Sequence, residues 1–558
     1  MTGVFGIILL LSASSVLFLS SSNDDFKLVK SLEIYYSLFR ELNLFYVDET
    51  DPEKLVENSI EGMLKELDPY TTYIAESDQE NFNFMTTGEY GGIGSLIRRN
   101  GEYAIIAEPY EGFPAAKAGL LAGDTILLID GKSMKGLEIS KISEVLKGKP
   151  GTSLTITLRR YGHKDPIEVP IIREKITISN VPYYGMLNDH IGYIRLSNFT
   201  TGAAQETKSA LLDLKKNPEL EGIVLDLRGN PGGLLIEAVD VANLFVPQGQ
   251  EIVSTRGRMK QWDQEYLTRH VPVDTTIYLA VLVSRGSASA SEIVAGSLQD
   301  LDRAVIIGQR TFGKGLVQTT RELSYNTRLK VTTAKYYIPS GRCIQALDYS
   351  KRNEDGSVGS IPDSLISEYK TKNGRTVYDG GGIQPDFQTD PEVLSQISIA
   401  LLTGNVIFDY ATLYVSRHDS IGNLGDFEIS GREYEDFIKM LNGREFSYET
   451  RSEESLKKLI ETAKREKYYA HAEEEFNALG EKLKHDNLKD LNTFKEEIKQ
   501  LIKEELAVRY YFQKGRVQAT IQTDKEVGRA IEVLNQKELY HMTLNQPAGN
   551  MHARLGVQ

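Results

Sequence analysis

The chain has 558 residues, too many for one ordinary hydrophobic core, so three or four domains are expected. Its 41% hydrophobic and 25% charged residues are those of a water-soluble globular protein, and a formal net charge of −14 weighs against binding a nucleic-acid backbone, which needs clustered Lys and Arg. The single cysteine, Cys343, excludes an intrachain disulfide and a cysteine-based metal site, and the eight histidines form no metal-ligand pattern, so neither metal nor cofactor is expected.

Residues 4–19 are apolar apart from Gly and Ser, and a polar stretch follows at 20–25. This predicts a secretory signal or N-terminal anchor over residues 1–22 and hence an exported chain, with cleavage and retention both open. The usual positive start is missing, since the first basic residue is Lys27. Residues 23–85 read as helical. Ile34, Leu38, Phe39 and Leu42 share one face; Leu55, Val56, Ile60, Met63, Leu64 and Leu67 share another. Asp51-Pro52 starts the second helix and Asp68-Pro69 stops it, which predicts a two-helix hairpin packed on the core.

Residues 86–170 open with Tyr90-Gly91-Gly92-Ile93-Gly94-Ser95, a loop whose amides can form an anion nest. A short helix at Pro114-Ala115-Ala116-Lys117-Ala118-Gly119-Leu120 follows, then a strand ending in the turn Asp130-Gly131, and an alternating strand marked by Leu154, Ile156 and Leu158. This ordered set reads as a PDZ domain, with Gly91, Gly92, Ile93 and Gly94 as the peptide-binding residues. Over 171–400, strands and helices alternate, which predicts an α/β layered core. One buried strand, 222–227, leads through Arg228-Gly229-Asn230-Pro231-Gly232-Gly233 into a helix. Beyond residue 401 the chain is mainly helical and charge-rich, and Phe494, Ile498, Leu501, Ile502 and Leu506 mark one amphipathic face. That face suits a homo-oligomer or adaptor module or a cap on the rest of the chain, or belongs to a solvated appendage.

The densest chemistry lies in two segments. Ser287-Ala288-Ser289-Ala290-Ser291-Glu292 follows one apolar β-like run, and Thr311-Phe312-Gly313-Lys314-Gly315 follows another, placing Lys314 25 residues after Ser289. A serine hydroxyl needs a base to take its proton during attack, and a lysine serves only when neutral. Bringing a lysine from about 10.4 to near neutrality corresponds to roughly 4 kcal/mol, within the reach of burial. Phe312, Leu316 and Val317 are apolar and the local sequence holds no acid, which suits a desolvated amine.

These segments resemble the carboxyl-terminal processing (tail-specific) proteases of the S41 serine peptidase family, a likeness that runs from about Leu44 to Pro385. It includes Leu67-Asp68-Pro69-Tyr70-Thr71-Thr72-Tyr73 before the PDZ region and Gly380-Gly381-Gly382-Ile383-Gln384-Pro385-Asp386 near the end of the core. The resemblance implies a multidomain α/β protein with a crotonase-like core and an inserted PDZ domain. It implies Ser289 as nucleophile, Lys314 as base and Gln318 as the residue that orients the lysine. The Ala290 amide would be one oxyanion donor and the second would come from Gly232 or Gly233, which the sequence does not separate. Substrates would be exported proteins or peptides with free C-terminal tails, met in the bacterial periplasm or at the periplasmic face of the inner membrane, where the N-terminal segment would associate.

Three rivals compete with this reading. Gly308 to Lys314 fits most of a nucleotide-binding P-loop, but Gly315 stands where Ser or Thr is required. A histidine-based triad has only His190 and His270 to draw on in the core. A non-enzymatic peptide-binding scaffold would be favoured by loss of Ser289 or Lys314, and both are present.

Overall fold

The structure, a computed structural model, describes residues 22–545 except 354, 443–445, 447 and 485. The expected signal or anchor therefore lies outside the described residues, apart from Ser22. The chain divides into two compact units, Met1–Ala75 with Thr319–Thr332, and Glu76–Gln318 with Thr333–Gln558.

In the first unit, helix α1 (Ser22–Phe45) is followed by α2 (Pro52–Lys65) and strand β1 (Thr72–Ile74). Asp51 caps α2 by accepting from the amides of Glu53 and Lys54, with Pro52 in the first turn, as the sequence predicts. Asp68 then closes the chain by accepting from the Tyr70 and Thr71 amides and from the Thr332 hydroxyl. This holds β1 in an antiparallel pair in which Thr72 faces Lys330. The expected packed hairpin is corrected. Tyr35 and Ser59 share a hydrogen bond, but no residue of α2 is buried, and Leu38 and Met63 are 65% and 64% exposed. Two helices give each apolar stripe only one neighbour, too little to enclose a core.

In the second unit, strands β2 (Glu89–Gly92), β3 (Ser95–Asn100), β4 (Tyr103–Pro109), β5 (Thr125–Ile129), β6 (Ser153–Arg159), β7 (Ile167–Ile172) and β8 (Glu174–Thr177) build the PDZ region with helix α3 (Ile139–Leu146). β3 to β7 form one antiparallel sheet in sequence order, and β2 pairs with β8 outside it. Leu154, Ile156 and Leu158 are buried with Ile106, Ile126 and Ile142, so the period-2 pattern puts one face of β6 inward. Asp130 and Gly131, both at positive φ, make the expected tight turn.

The core sheet has the order β9 (Tyr183–Met186), β10 (Ile191–Arg195), β11 (Gly222–Asp226), β12 (Tyr278–Val283), β13 (Val305–Gly308) and, after β14 (Leu316–Glu322) in the chain, β15 (Phe387–Gln388). β10 through β15 in this sheet run parallel, and β9 is antiparallel at the edge. Helices α4 (Ala203–Leu214), α5 (Leu235–Asn243) and α6 (Ala290–Asp300) cover one face, where Leu211, Val241 and Val294 meet Ile223, Leu225 and Val281. The strands are apolar throughout, as parallel strands covered on both faces must be.

The second cover comes from far along the chain. After α7 (Gln396–Thr403), α8 (Val406–Val415), α9 (Gly431–Asn442) and α10 (Lys495–Ile521), helices α11 (Lys525–Asn535) and α12 (Lys537–Asn545) bury Val527, Ala530, Val533 and Tyr540 against Tyr193, Val224, Ala280 and Ile307. Of the alternatives for the C-terminal helices, a cap module fits this packing and a solvated appendage does not, because α11 and α12 complete the core. The amphipathic face expected for oligomerisation is also occupied within the chain. Ile498, Ile502 and Leu506 are fully buried against Leu401, Tyr410 and Phe437. Among the described residues no single helix is long and apolar enough to cross a membrane.

Candidate active site

Three loops leave the C-terminal ends of the adjacent parallel strands β11, β12 and β13, where open α/β sheets place their ligand sites. The first carries Gly232 and Gly233, the second Ser289 and the third Lys314. The registers Asp226 with Leu282 and Val283 with Gly308 bring the loops out at nearly one level. All the sequence-predicted catalytic and oxyanion residues lie in the second unit.

Ser289 is half-buried at the N-cap of α6, with φ 55° and ψ −112°. Positive φ in a residue with a Cβ costs on the order of 1–3 kcal/mol and persists only where the surroundings enforce it. The neighbouring serines have structural roles. Ser287 donates its hydroxyl to the Leu227 carbonyl at 2.8 Å, and Ser291 donates to the Asn230 carbonyl at 2.9 Å. Both are fully buried, which separates them from Ser289. The buried Tyr336 hydroxyl donates to the Ser289 carbonyl at 3.2 Å. Burial and the nearby Glu292 charge raise its pKa, so it stays a donor.

Lys314 follows Gly313, which has φ 85° and whose added Cβ would lie 2.4 Å from the Ala346 Cβ. Only glycine fits that approach. Gln318 lies four residues on, half-buried in β14, as Lys314 is half-buried in the preceding loop. The sequence flanking Lys314 holds no acid, but the fold brings one to its backbone from another loop. The Glu292 carboxylate accepts the Lys314 amide at 2.9 Å and the Gly313 amide at 2.7 Å. It also accepts the Ser289 amide at 2.8 Å and the Thr311 hydroxyl at 2.6 Å.

The structure distinguishes the two glycines that the sequence left together. An added Cβ on Gly232, at φ 97°, would stand 2.6 Å from the Ala288 carbonyl oxygen and 2.9 Å from the Ala290 amide nitrogen. Gly232 therefore abuts the Ser289 turn, but its amide is already donated to the Asn230 side-chain oxygen at 2.9 Å. Among the described residues, the Gly233 and Ala290 amides are donated to no partner. Asn230 also donates to the Leu196 carbonyl at 2.8 Å, which fixes the turn to the end of β10. The loop root is ionic: the fully buried Asp226 accepts from Tyr193, Arg195 and Arg228. Burial pushes its carboxyl up, but the two guanidiniums outweigh that and hold it well below the ordinary carboxylate range.

In the PDZ region the expected open loop is partly a strand. Gly91 and Gly92 belong to β2, paired with Lys175 and Glu174. An added Cβ on Gly91 would meet the Gly148 carbonyl oxygen at 2.2 Å, so packing rather than ligand approach requires that glycine. Ile93 is buried in the PDZ core, and Gly94 turns the chain at φ 71°. Among the described residues the amides of Ile93 and Gly94 are donated to no partner, and the buried Ser95 hydroxyl has none either.

The rival arrangements are absent from these loops. His190 precedes β10, at the opposite end of the strands from Ser289, and His270 is 74% exposed beside Asp240 on α5. Lys314 leads into strand β14 where a P-loop lysine would open a helix. Among the described residues no group of three or more His, Cys, Asp or Glu side chains is placed to hold a metal ion.

Sequence reasoning passed over Glu292, Asn230 and Asp226 as site residues. Glu292 had a legible signal, since it stands three residues after Ser289 as in a helix capping box. Asn230 and Asp226 act through loop geometry that sequence spacing does not display.

Residues 190–350 match the model of peptidase family S41 and residues 105–160 that of a PDZ domain. Residues 397–534 match a model described as a probable PDZ-protease C-terminal helical domain. A carboxy-terminal-processing protease of Bartonella bacilliformis is 39% identical over 363 residues, 64% of this chain and 80% of that protein. A probable CtpA-like serine protease of Staphylococcus aureus is 36% identical over 313 residues, covering 55% of this chain and 61% of its own length. The solved photosystem II D1 C-terminal processing protease is 29% identical, with 65% of this chain and 93% of that one covered at a TM-score of 0.35.

Proposed function

Because this chain belongs to the S41 family of serine-type peptidases, with the carboxy-terminal-processing proteases, and carries a PDZ domain, we propose that it is an endopeptidase using Ser289 and Lys314. The observation that carries the reading is the strained Ser289 turn at the head of α6, tied through one buried carboxylate to the backbone of Lys314. The Ser289 oxygen attacks the scissile carbonyl carbon while the neutral Lys314 amine takes the hydroxyl proton. Gln318 orients the amine without adding charge. The developing oxyanion receives the Ala290 amide, helped by the positive end of α6, and the Gly233 amide. Gly232 serves as the close-packed neighbour that shapes the turn. Collapse of the tetrahedral adduct breaks the C–N bond, and the leaving amine takes the proton back from Lys314. Water then attacks the acyl ester by the same route, with Lys314 again as base.

The finer architecture and setting belong to the same proposal. The core is crotonase-like with the PDZ domain inserted before it, supported by the parallel sheet and by chain order. The apolar segment at 4–19 supports export to the bacterial periplasm, where the substrates are exported proteins. The uncommitted Ile93 and Gly94 amides support recognition of C-terminal tails. The test is cleavage of an unfolded test protein by the purified chain, with labelling of its nucleophile by a fluorophosphonate. Ser289→Ala is expected to remain folded and lose both. Retained turnover in that variant would overturn the assignment.

A further inference from the structure

We infer that Glu292 is a positioning residue, whose buried carboxylate sets the relation between the Ser289 and Lys314 loops; this rests on the Ser-Lys reading above. One oxygen receives the Ser289 amide at 2.8 Å and the Lys314 amide at 2.9 Å. The other receives the Thr311 hydroxyl at 2.6 Å and the Gly313 amide at 2.7 Å. Each oxygen therefore carries two donors, and three of the four are backbone amides of the two loops that hold the proposed nucleophile and base.

The site has the marks of a built network. Glu292 is fully buried in the first turn of α6. Burial pushes its carboxyl up from the ordinary value, and the four donors pull against that. With donors on every side, the ionised carboxylate is the form that fits, since a carboxyl proton would point at an N–H or O–H group. Thr311 is held in turn, because its oxygen accepts the Ile383 amide at 2.6 Å while its proton goes to Glu292. A second tie, from the Phe312 amide to the Ser287 carbonyl at 3.0 Å, joins the same loops. The positive φ of Ser289 needs such over-determination, since an isolated serine would relax from it.

The chemistry predicts a specific failure. Glutamine has the same shape, but its NH₂ group would face two donors, so Glu292→Gln can hold one pair of donors and must release the other. Aspartate keeps four acceptor sites on a shorter arm. In the full chain, Glu292→Gln is expected to lower kcat and the fluorophosphonate acylation rate per active site by about 100-fold. KM for peptide cleavage should stay within about threefold, and tail-peptide binding should be unchanged, because neither contact is altered. Glu292→Asp should recover part of the loss, and Thr311→Val, which removes the shortest donor, should cost about tenfold. A folded Glu292→Gln chain with wild-type kcat, or an aspartate variant no better than the glutamine one, would overturn the inference. If Glu292→Gln fails to fold, a folded Thr311→Val chain with unchanged kcat and acylation overturns it instead. The two readings fail separately: turnover in Ser289→Ala removes the dyad and this inference with it, whereas an active wild type matched by its Glu292 variants removes this inference alone.

Discussion

The turn at Ser289 and the turn at Gly94 both use left-handed backbone, at φ 55° and 71°, yet the fold holds them by opposite means. The first puts a residue with a Cβ where glycine would be at ease, and surrounds it with a buried carboxylate, a tyrosine hydroxyl and a facing glycine. The second uses glycine, so no strain accumulates. It is held by backbone bonds from Tyr110 to Gly94 and from Ala115 to Ile93, and by close packing on Phe113. Near the first turn, side chains supply the bonds that fix atoms in place. Near the second, the Ile93 and Gly94 amides and the Ser95 hydroxyl have no partner among the described residues, while Leu96 and Val145 are exposed nearby. On the proposed reading the difference has a reason: a group that attacks one atom needs fixed geometry, whereas a nest that receives varied chain ends needs donors left open.

The sharpest way to break the comparison is at Lys314, the proposed base. Lys314→Arg keeps the positive charge but supplies a guanidinium that does not deprotonate at accessible pH. It is expected to lower kcat by about 10^4-fold, the upper range for general base catalysis, while peptide binding at the PDZ region is kept. Turnover by the arginine variant at any comparable rate would show that the core turns are not arranged around a lysine base.

The next test asks whether ionic anchorage distinguishes the core loop from the PDZ loop. Asp226 sits at the root of the Gly232 loop, paired with Arg195 and Arg228, and Arg228 continues to Asp524 and Glu526 on the segment that opens α11. Asp226→Asn leaves two guanidiniums without their buried partner and is expected to cost about 3–5 kcal/mol of stability at neutral pH. Because the folded-state carboxyl is held below its unfolded value, its stabilisation is present above about pH 4 and is lost as the pH falls further. Denaturant unfolding across this range should show the gap between wild type and variant closing in acid. A gap that stays constant down to pH 2 would assign the effect to shape instead of charge.

The same contrast explains what could be read before the fold was known. Ser289 and Lys314 were legible because each sits in a contiguous motif after an apolar strand. The Glu292 bonds were not, since Thr311, Gly313 and Lys314 lie 19 to 22 residues away and arrive from another strand. Val527, Ala530, Val533 and Leu534 had the period of a helix face, but nothing in that period names its partner, here the core sheet. Ile34 and Leu38 had the same period and are exposed. Periodicity thus identified faces, and only the packing decided which were covered. Gly91 and Gly92 looked like a ligand loop for a related reason: glycine marks close approach, and in their case the approaching groups include the chain's own Gly148 and Tyr90.

The smallest expected effect lies at the open turn. If the Ile93 and Gly94 amides, with the Ser95 hydroxyl, receive a terminal carboxylate, the gain comes from charge-assisted hydrogen bonds to donors that have no partner among the described residues. Amidating the end of a peptide removes the charge and one acceptor oxygen and leaves the scissile region untouched. Binding should weaken by about 1.5–3 kcal/mol, the scale of hydrogen bonds to a charged group. Cleavage should fall in step at subsaturating substrate and converge at saturation, because the core turn is unaltered. Matched peptides ending in Ala or Val, with free and amidated ends, supply the measurement by calorimetry and by initial rates. Equal binding and equal cleavage would mean that these donors serve no tail and that the difference between the turns is one of packing alone. Weaker binding with an unchanged rate at saturation would place recognition in the PDZ turn and chemistry in the core turn.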